Sequence, residues 1–364
     1  MKRTNTAKWM EKQNRWQINV QKDGVRRTFT SSKPGRTGQR EANAKADAWL
    51  DQGIVNGSLR ISTLADEWEA ELKETSSTSH HNQYEGFIRL WIKPIIGNVK
   101  VSNLNNQHLQ NVINAAYKHG LSKKSLSNIQ GCLSAFVKYL RKRKATMLIV
   151  EDVTIPRQAP VGKRTILQPK DLKILFSSDE SLIYGKTRCE IYINAYRFEV
   201  LTGLRPGEVI GLKWEDISDE CVHVQRSFNK YNELTTRKNE NARRVIPLTK
   251  LSKYILILQK KLLNENQIVS KFVFANEYGE HISYHSYYKR WINYRTYHEL
   301  SSASPYELRH TFVSIAKTLP EGLIKSYVGH SKDMDTFGVY GHEVSGEMQQ
   351  TADLLEDVFT KVIK

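Results

Sequence analysis

The N-terminal part of the chain alternates hydrophobic and polar residues in two short runs. "WQINV" and "VRRTFT" both follow the alternation of a half-buried strand, and Asp23 and Gly24 lie between them. An Asp-Gly pair between two alternating runs is a strong hairpin signal. The Ala-rich run "GQREANAKADAWLDQG" then predicts a helix that ends at Gly53. We therefore predict a small sheet braced by one helix over residues 1–55.

The next part, residues 60–147, has the spacing of amphipathic helices. Its clearest apolar stripes are Leu109, Val112, Ile113 and Ala116 in one helix and Leu126, Ile129, Leu133, Phe136, Val137 and Leu140 in the next. Such stripes are typical of a packed helical core. Residues 148–166 follow, and Pro156, Pro160 and Gly162 within them indicate an extended linker between independent units.

Residues 167–364 mix helical and strand patterns. The run "YINAYRFEVLTGLRPGEVIGLKWEDI" predicts a helix, a Gly-Leu-Arg-Pro-Gly turn and a second helix. Two strands, "CVHVQ" and "RRVIPL", are separated by a polar connector that contains Lys238. Further on, "SPYELRHTFVSIA" places three candidate residues around a helix start: Tyr306, Arg309 and His310.

The C-terminal segment carries one apolar stripe. Leu354, Leu355, Val358 and Val362 would lie along one side of a short helix. This stripe can pack on its own unit or dock in a groove of a neighbouring copy, and the pattern alone does not separate the two alternatives.

Composition favours a polyanionic partner. The 364 residues contain 55 Lys and Arg against 38 Asp and Glu, a net charge of +17. The length suggests two or three domains, and the positive charge suits DNA, RNA or an anionic membrane surface. No apolar run approaches the roughly 20 residues of a membrane span, and the N-terminus lacks the apolar core of a signal peptide. Nucleic acid is therefore the favoured partner.

The three cysteines indicate a reducing environment. Cys132, Cys189 and Cys221 are odd in number and far apart in the sequence. This predicts reduced thiols in a cytoplasm, with neither a disulfide framework nor a zinc site.

Positive charge is concentrated near the N-terminus. Residues 1–55 hold 12 Lys and Arg against 5 Asp and Glu. Because a β-ribbon can enter the major groove, we predict that Arg26, Thr28 and Thr30, which share one strand face, contact DNA. A basic run at the end of the helical part is a second candidate for phosphate contact: Arg141, Lys142, Arg143 and Lys144.

An ordered set of motifs, rather than any single residue, indicates a catalytic site. Arg205 in "TGLRPGEVIGLKWEDI", Lys238 in "RKNENARRVIPL", Arg309 in "YELRHTF", and His330 and Tyr340 in "VGHSKDMDTFGVYGH" follow in this order. The set resembles the tyrosine recombinases, and more closely the phage and mobile-element integrases, whose pattern is Arg, Lys, His-x-x-Arg, His or Trp, and Tyr. The N-terminal unit resembles the arm-type DNA-binding domain of such integrases, and the helical unit resembles their core-binding domain.

The resemblance implies a fold class. We expect a multidomain, mainly α protein with small β elements. Its parts would be an N-terminal three-stranded sheet plus helix (arm-type domain, 1–55), a helical SAM-like core-binding domain (60–147), a linker (148–166) and an α+β tyrosine recombinase catalytic domain (167–364).

The resemblance also implies a reaction. Tyr340 would attack a DNA phosphate and form a 3′-phosphotyrosyl intermediate, a scheme that conserves the bond energy and requires no ATP, metal or other cofactor. Arg205 and Arg309 would bind the nonbridging oxygens through their planar donor forks. Lys238 would protonate the leaving 5′ oxygen, and His330 would donate a hydrogen bond to the phosphate.

Three further residues would support this chemistry. Glu208 would orient Arg205, His310 is expected to be structural, and His342 lies two positions after the nucleophile. Tyr306 stands where most relatives have the first His of the pattern, and its reference pKa near 10 makes it a poor base at neutral pH, so we expect it to donate a hydrogen bond. The interval from His330 to Tyr340 is also slightly longer than the commonest family spacing.

Three alternative functions stay open. A type IB topoisomerase shares this constellation but needs no separate basic N-terminal domain. A chromosome-resolving recombinase usually lacks that domain as well. A non-catalytic DNA-binding regulator fits the charge and the modular organisation, but it leaves the ordered motifs unexplained.

The function that the resemblance implies is site-specific recombination that integrates or excises a phage or another mobile element. The expected partner is double-stranded DNA with core and arm attachment sites, bound by a homotetramer. The resemblance also favours docking of the C-terminal stripe on a neighbouring copy over packing on its own unit. Host DNA-bending and directionality factors are further expected partners, and a membrane is not. The expected location is the nucleoid in the cytoplasm of a bacterial host.

Overall fold

The structure is a computed structural model of the chain, and it describes residues 3–22, 25–51, 58–235, 244–329 and 347–363. The chain forms two compact units, residues 1–162 and 163–364. The division between them falls within residues 148–166, but the prediction of an extended linker there is wrong in part, because Val153 and Ala159 are buried in a core of the first unit. The predicted turn at Asp23 and Gly24 and the predicted helix end at Gly53 lie outside the described residues.

The first unit begins with a three-stranded antiparallel sheet, as predicted. The strands are β1 (Lys8–Met10), β2 (Arg15–Lys22) and β3 (Val25–Ser31), and helix α1 (Gly35–Asp51) packs on the sheet. Ile18 pairs with Phe29 and Asn19 pairs with Thr28, so neighbouring pairs point to opposite faces. One face buries a small core with α1 that includes Ile18 and Ala42. The other face leaves Arg26 and Thr28 exposed.

Within the described residues of the first unit, five α-helices follow and share a second core. They are α2 (Ile61–Thr75), α3 (Thr78–Phe87), α4 (Lys93–Ile96), α5 (Asn106–Lys118) and α6 (Lys123–Lys142), and a π-helical segment (Ile88–Ile92) joins α3 to α4. Asn105 and Ser122 accept hydrogen bonds from the first turns of α5 and α6, which satisfies backbone donors that have no partner within the helix. The predicted stripes of both helices are buried.

In its described residues, the second unit combines helices with two antiparallel two-stranded sheets. Its elements are α7 (Pro169–Ser177), β4 (Glu180–Ile183), β5 (Lys186–Cys189), α8 (Ile193–Thr202), α9 (Pro206–Ile210), β6 (Cys221–Val224), β7 (Arg244–Pro247), α10 (Lys250–Glu265), α11 (Tyr284–Tyr297), α12 (Pro305–Ala316), α13 (Glu321–Val328) and α14 (Glu347–Ile363). Strands β4 and β5 pair with each other, and so do β6 and β7. Every residue of α8 is buried, so this helix is the centre of the unit.

The C-terminal helix α14 packs on its own unit, against α7, α12 and β7. Leu355 and Phe359 are buried, and the Phe359 ring stacks on Phe312 with the ring centroids 5.6 Å apart. The backbone N–H of Leu251 donates to the carboxylate of Glu356 over 2.9 Å. The predicted stripe was partly wrong, because Leu354 is exposed while Phe359 is buried. Local packing is thus the alternative that the structure supports.

Within the described part of the chain, no helix combines the length and the apolar character that crossing a bilayer requires.

Phe359→Ala tests how much the packing of α14 contributes to stability. Removing a buried ring that stacks on Phe312 should lower the free energy of unfolding by about 3–5 kcal/mol. Leu354→Ala on the same helix is the matched control, and its effect should stay within about 0.5 kcal/mol because Leu354 is exposed. Urea unfolding of the full chain measures both variants. Equal midpoints for the two variants would contradict local packing.

Candidate active site

The turn between α8 and α9 positions Arg205. Gly203 ends α8 with a left-handed backbone (φ 61°), and a Cβ at this position would come within 2.5 Å of the Phe312 ring. Pro206 then begins α9, and Arg205 is its N-cap residue. The predicted order of helix, turn and helix is therefore present. Arg205 is fixed by a turn that only a glycine fits at position 203.

Glu208, in the first turn of α9, links Arg205 to a second arginine. Its carboxylate accepts from the backbone N–H of Arg205 (2.8 Å) and from Arg205 Nη1 (2.8 Å). Arg244, the first residue of β7, donates from Nη1 (2.9 Å) and Nη2 (2.7 Å) to the two oxygens of the same carboxylate. Burial alone would raise the pKa of Glu208, but the bonds and charges of Arg244 and Arg205 outweigh it and hold the pKa at about 2.

Arg309 lies on α12 with its side chain almost completely buried. Nη1 donates to the carbonyl of Gly203 (2.7 Å), and Nη2 donates to the carbonyl of Val328 (2.6 Å). Burial, with the nearby charges of Arg205 and Arg244, lowers the pKa of Arg309 to about 10. Arg309 therefore stays charged at neutral pH, and it holds the ends of α8 and α13 together.

The three arginines and one carboxylate leave a net positive charge. Arg205 keeps 36% of its side chain exposed, whereas Arg244 and Glu208 keep 7% and 6%. A cluster of this kind can bind an oxyanion through the guanidinium donors that the protein does not use. The chemistry that it favours is stabilisation of negative charge on a phosphate or a similar group.

Tyr306 and His310 lie on the first turns of α12, beside Arg309. Tyr306 is exposed, and its ring contacts the edge of the His310 ring with the centroids 5.3 Å apart. His310 Nε2 lies 2.9 Å from Nη1 of Arg164, and burial together with the Arg164 charge lowers the pKa of His310. A neutral His310 accepts from Arg164, so it ties the start of the second unit to α12. The structural role of His310 stays a prediction.

Four candidate residues lie outside the described residues: Lys238, His330, Tyr340 and His342. The structure therefore brings Arg205, Glu208, Arg309, His310 and Tyr306 into one region of the second unit and says nothing of these four. Their assignments stay predictions.

The candidate DNA-binding residues belong to the first unit. Arg26 and Thr28 are exposed on one face of the sheet, where Thr28 Oγ1 donates to Oδ1 of Asn19 over 2.6 Å. Thr30 lies on the same face and is half-buried. The basic run at the end of α6 is exposed, and its third member, Arg143, is ion-paired with Glu67 and Glu71: Arg141, Lys142, Arg143 and Lys144.

Sequence reasoning missed two residues of this region. Arg244 precedes the buried Ile246 by two positions in β7, so it points to the same face, and an inward-pointing arginine requires an acidic partner. That spacing was the available signal. Glu199 on α8 is fully buried, accepts from the Tyr287 hydroxyl over 2.7 Å, and has its pKa raised by burial. A lone Glu in a helical pattern gave no signal of this kind.

Two family models match the chain. Residues 167–346 match the phage integrase family, and residues 61–117 match the N-terminal SAM-like domain of phage integrases. Together these matches span well over half of the chain.

Two relatives are similar over most of their length. A protein named "tyrosine recombinase XerC-like" from Caldanaerobacter subterraneus is 23% identical, over 98% of this chain and 99% of its own length. The "ICEBs1 integrase" of Bacillus subtilis is 23% identical, over 87% of this chain and 88% of its own length.

Solved structures show the same fold. The Tn1549 transposon integrase in complex with transposon right-end DNA has a TM-score of 0.60 at 17% identity, covering 80% of this chain and 98% of its own. A lambda integrase tetramer bound to a Holliday junction also has a TM-score of 0.60 at 17% identity, with 91% and 96% covered.

Glu208→Gln tests the charge state of the buried carboxyl. A folded-state pKa near 2, below the ordinary 4.5, stabilises the fold above pH 4.5, and this stabilisation is lost as the pH falls towards 2. The variant should therefore lose on the order of 3 kcal/mol or more at pH 7, because the arginines also lose their partner. The difference in free energy of unfolding between the variant and the unsubstituted protein should stay constant from pH 7 to about pH 5 and become smaller below that.

The matched control is Glu215→Gln, which removes an exposed carboxylate paired with Lys213. The difference in free energy of unfolding between Glu215→Gln and the unsubstituted protein should be much smaller at every pH. Urea unfolding at a series of pH values measures all three proteins. A Glu208→Gln gap that does not narrow in acid would show that Glu208 is not an ionised group in the folded state.

Proposed function

The chain belongs to the phage integrase family and is a site-specific DNA recombinase, and on this premise we propose that it cuts and rejoins DNA through a phosphotyrosyl intermediate at the site built around Arg205 and Arg309. The observation that supports this site most directly is the buried carboxylate of Glu208, which holds Arg205 beside Arg244 next to a third guanidinium.

The charge arrangement suits phosphoryl transfer. The transition state spreads negative charge over the nonbridging oxygens, so catalysis depends on positioning and on fixed positive charge. Arg205, which is partly exposed, meets one nonbridging oxygen, and the remaining donors of Arg309 meet another. Both guanidiniums are held in place before the substrate arrives, so little reorganisation is needed during the reaction.

The covalent step uses residues outside the described ranges. The Tyr340 hydroxyl gives its proton to water as its oxygen forms a bond to phosphorus, and the bond from phosphorus to the 5′ oxygen of the next nucleotide breaks. Lys238 gives a proton to that 5′ oxygen, and His330 donates a hydrogen bond to the phosphate. Attack of a 5′ hydroxyl on the phosphotyrosine reverses the step and rejoins DNA. Tyr306, exposed beside Arg309, donates a hydrogen bond and does not act as a base.

Double-stranded DNA is the substrate and the scaffold of assembly. Integrases of this fold have been solved on DNA, and the lambda integrase forms a tetramer on a Holliday junction. We infer a tetramer on core sites for this chain, with arm sites bound by the exposed face of the N-terminal sheet. Host bending and directionality factors would act with it at the nucleoid of a bacterial cell, where the enzyme integrates or excises a mobile element.

Tyr340→Phe tests the nucleophile. The variant should bind a nicked core-site duplex with near-normal affinity and form no SDS-resistant adduct, because it lacks the attacking oxygen. Tyr184→Phe is the matched control, since Tyr184 is exposed on the hairpin of β4 and β5 and should leave adduct formation unchanged. Gel analysis after SDS treatment measures the adduct. An adduct that persists in Tyr340→Phe would place the nucleophile elsewhere.

Arg26→Gln tests the arm-site face. If Arg26 neutralises one phosphate, the variant should bind arm-site DNA more weakly and lower the log–log salt slope by about 0.9. Arg40→Gln on α1 is the matched control, because it removes an exposed positive charge from the helix behind the sheet. Fluorescence anisotropy at a series of salt concentrations measures both slopes. Equal slopes would argue against contact through the sheet face.

A further inference from the structure

We propose that Arg244 is a positioning residue for DNA cleavage: it fixes Glu208, and through it Arg205, against the C-terminal end of α13. This role deepens the proposed function, since it concerns the same site. It requires no contact between Arg244 and DNA.

Arg244 joins three elements through one guanidinium. Nη1 and Nη2 donate to the two oxygens of Glu208 on α9, and Nε donates to the carbonyl of Tyr327 on α13 over 2.9 Å. Arg244 itself begins β7. A planar fork can make these three bonds at once, whereas an ammonium group on a flexible stem cannot reproduce their directions.

The backbone of α13 is shaped to admit this side chain. Gly329 directly follows α13 with a φ of 66°, and a Cβ there would lie 3.0 Å from Cδ of Arg244 and 3.2 Å from Nη1. A side chain at position 329 would therefore press on the guanidinium. The close approach indicates that the end of α13 and Arg244 are fitted to each other.

Stability alone does not account for such a buried pair. Removing charged groups from water costs free energy that the ion pair only partly offsets, and a well-packed apolar pair is often at least as stable. A guanidinium fork, however, specifies distance and orientation, which apolar packing does not. Since the same two oxygens of Glu208 also accept from Arg205, the orientation of Arg205 depends on Arg244.

The contacts of Arg244 lie next in the sequence to the predicted catalytic residues. Arg244 follows Lys238 in the sequence, and Tyr327 precedes His330 and Tyr340. The Arg244 side chain thus connects the segment after Lys238, the predicted acid, to the segment before Tyr340, the predicted nucleophile. Through Glu208 it connects both segments to Arg205.

The test compares Arg244→Lys and Arg244→Ala with Arg226→Ala in the full-length protein. Arg226 is the matched control, because it is partly buried and its ion pairs are with the buried carboxylate of Asp216 and the exposed carboxylate of Glu215. Each protein is assayed for unfolding, for the Kd of a core-site duplex and for the single-turnover rate of adduct formation on a nicked duplex.

We expect both Arg244 variants to bind DNA with a Kd within about threefold of the unsubstituted protein and to form adduct about 100-fold more slowly, a loss typical of a misplaced catalytic group. Arg244→Lys keeps the positive charge but not the planar fork. A similar loss of adduct rate in this variant would show that the orientation of the guanidinium, rather than its charge, is what cleavage needs. Arg226→Ala should lose stability and keep its cleavage rate.

A pH profile adds a readout that a merely structural residue would not change. Glu208 faces Arg205 at the N-cap of α9, Arg244 on β7, Arg309 on α12 and the buried Glu199 on α8. Without Arg244, the pKa of Glu208 rises, and the adduct rate of Arg244→Ala should gain an extra increase with pH as Glu208 ionises. Adding Glu208→Gln should remove that increase.

The outcomes separate this inference from the proposed function. If the unsubstituted protein forms no adduct, the proposed reaction fails. If it forms adduct and both Arg244 variants cleave at its rate, the positioning role is wrong. The role is also wrong if the cleavage loss follows stability, so that Arg226→Ala loses rate in the same proportion. Adduct loss in the Arg244 variants with unchanged Kd, and with the extra pH dependence, supports it.

Discussion

The catalytic unit depends on one ionised carboxylate buried among three guanidinium groups. Without a negative charge at Glu208, Arg205, Arg244 and Arg309 would repel one another in a region that water screens poorly. Burial opposes ionisation, but the hydrogen bonds and positive charges of Arg244 and Arg205 favour it by more, which is why the pKa of Glu208 is about 2. The carboxylate neutralises part of the charge, and the remainder is available to an anionic ligand.

Backbone carbonyls at helix ends complete this arrangement. Gly203 ends α8, and Tyr327 and Val328 end α13, so their carbonyls lie where helices have unsatisfied acceptors and a partial negative charge. Arg309 binds the first and the last of these, and Arg244 binds the carbonyl of Tyr327. Arg244 and Arg309 therefore use the same hydrogen bonds to pair the terminal carbonyls of α8 and α13 and to hold the charged site in place. The packing of this unit and the geometry of the site thus depend on the same contacts.

The parts of the fold and of the site that depend on residues close together in the sequence could be predicted. The hairpin pattern, the stripes of α5 and α6 and the turn at Gly203 each follow from neighbours in the chain, and all three are present. The bond between Arg205 and Glu208 was predictable for the same reason, since one turn of helix separates them. The partners of Arg244 and Arg309 were not, because Glu208, Gly203 and Val328 are distant in sequence and meet only through tertiary packing.

Local patterns also failed where several residues compete for one stripe. In α14, Leu354 and Leu355 are both apolar, and the pattern could not decide which of them faces the core. The position of Phe312 decided it, because stacking Phe359 on that ring turns Leu355 inward and Leu354 outward. Phe312 also contacts Gly203, where a Cβ would meet its ring. The same aromatic side chain thus sets the rotation of the C-terminal helix and requires the glycine turn that presents Arg205. A change in the packing of α14 would therefore be transmitted through the Phe312 ring to the turn that presents Arg205.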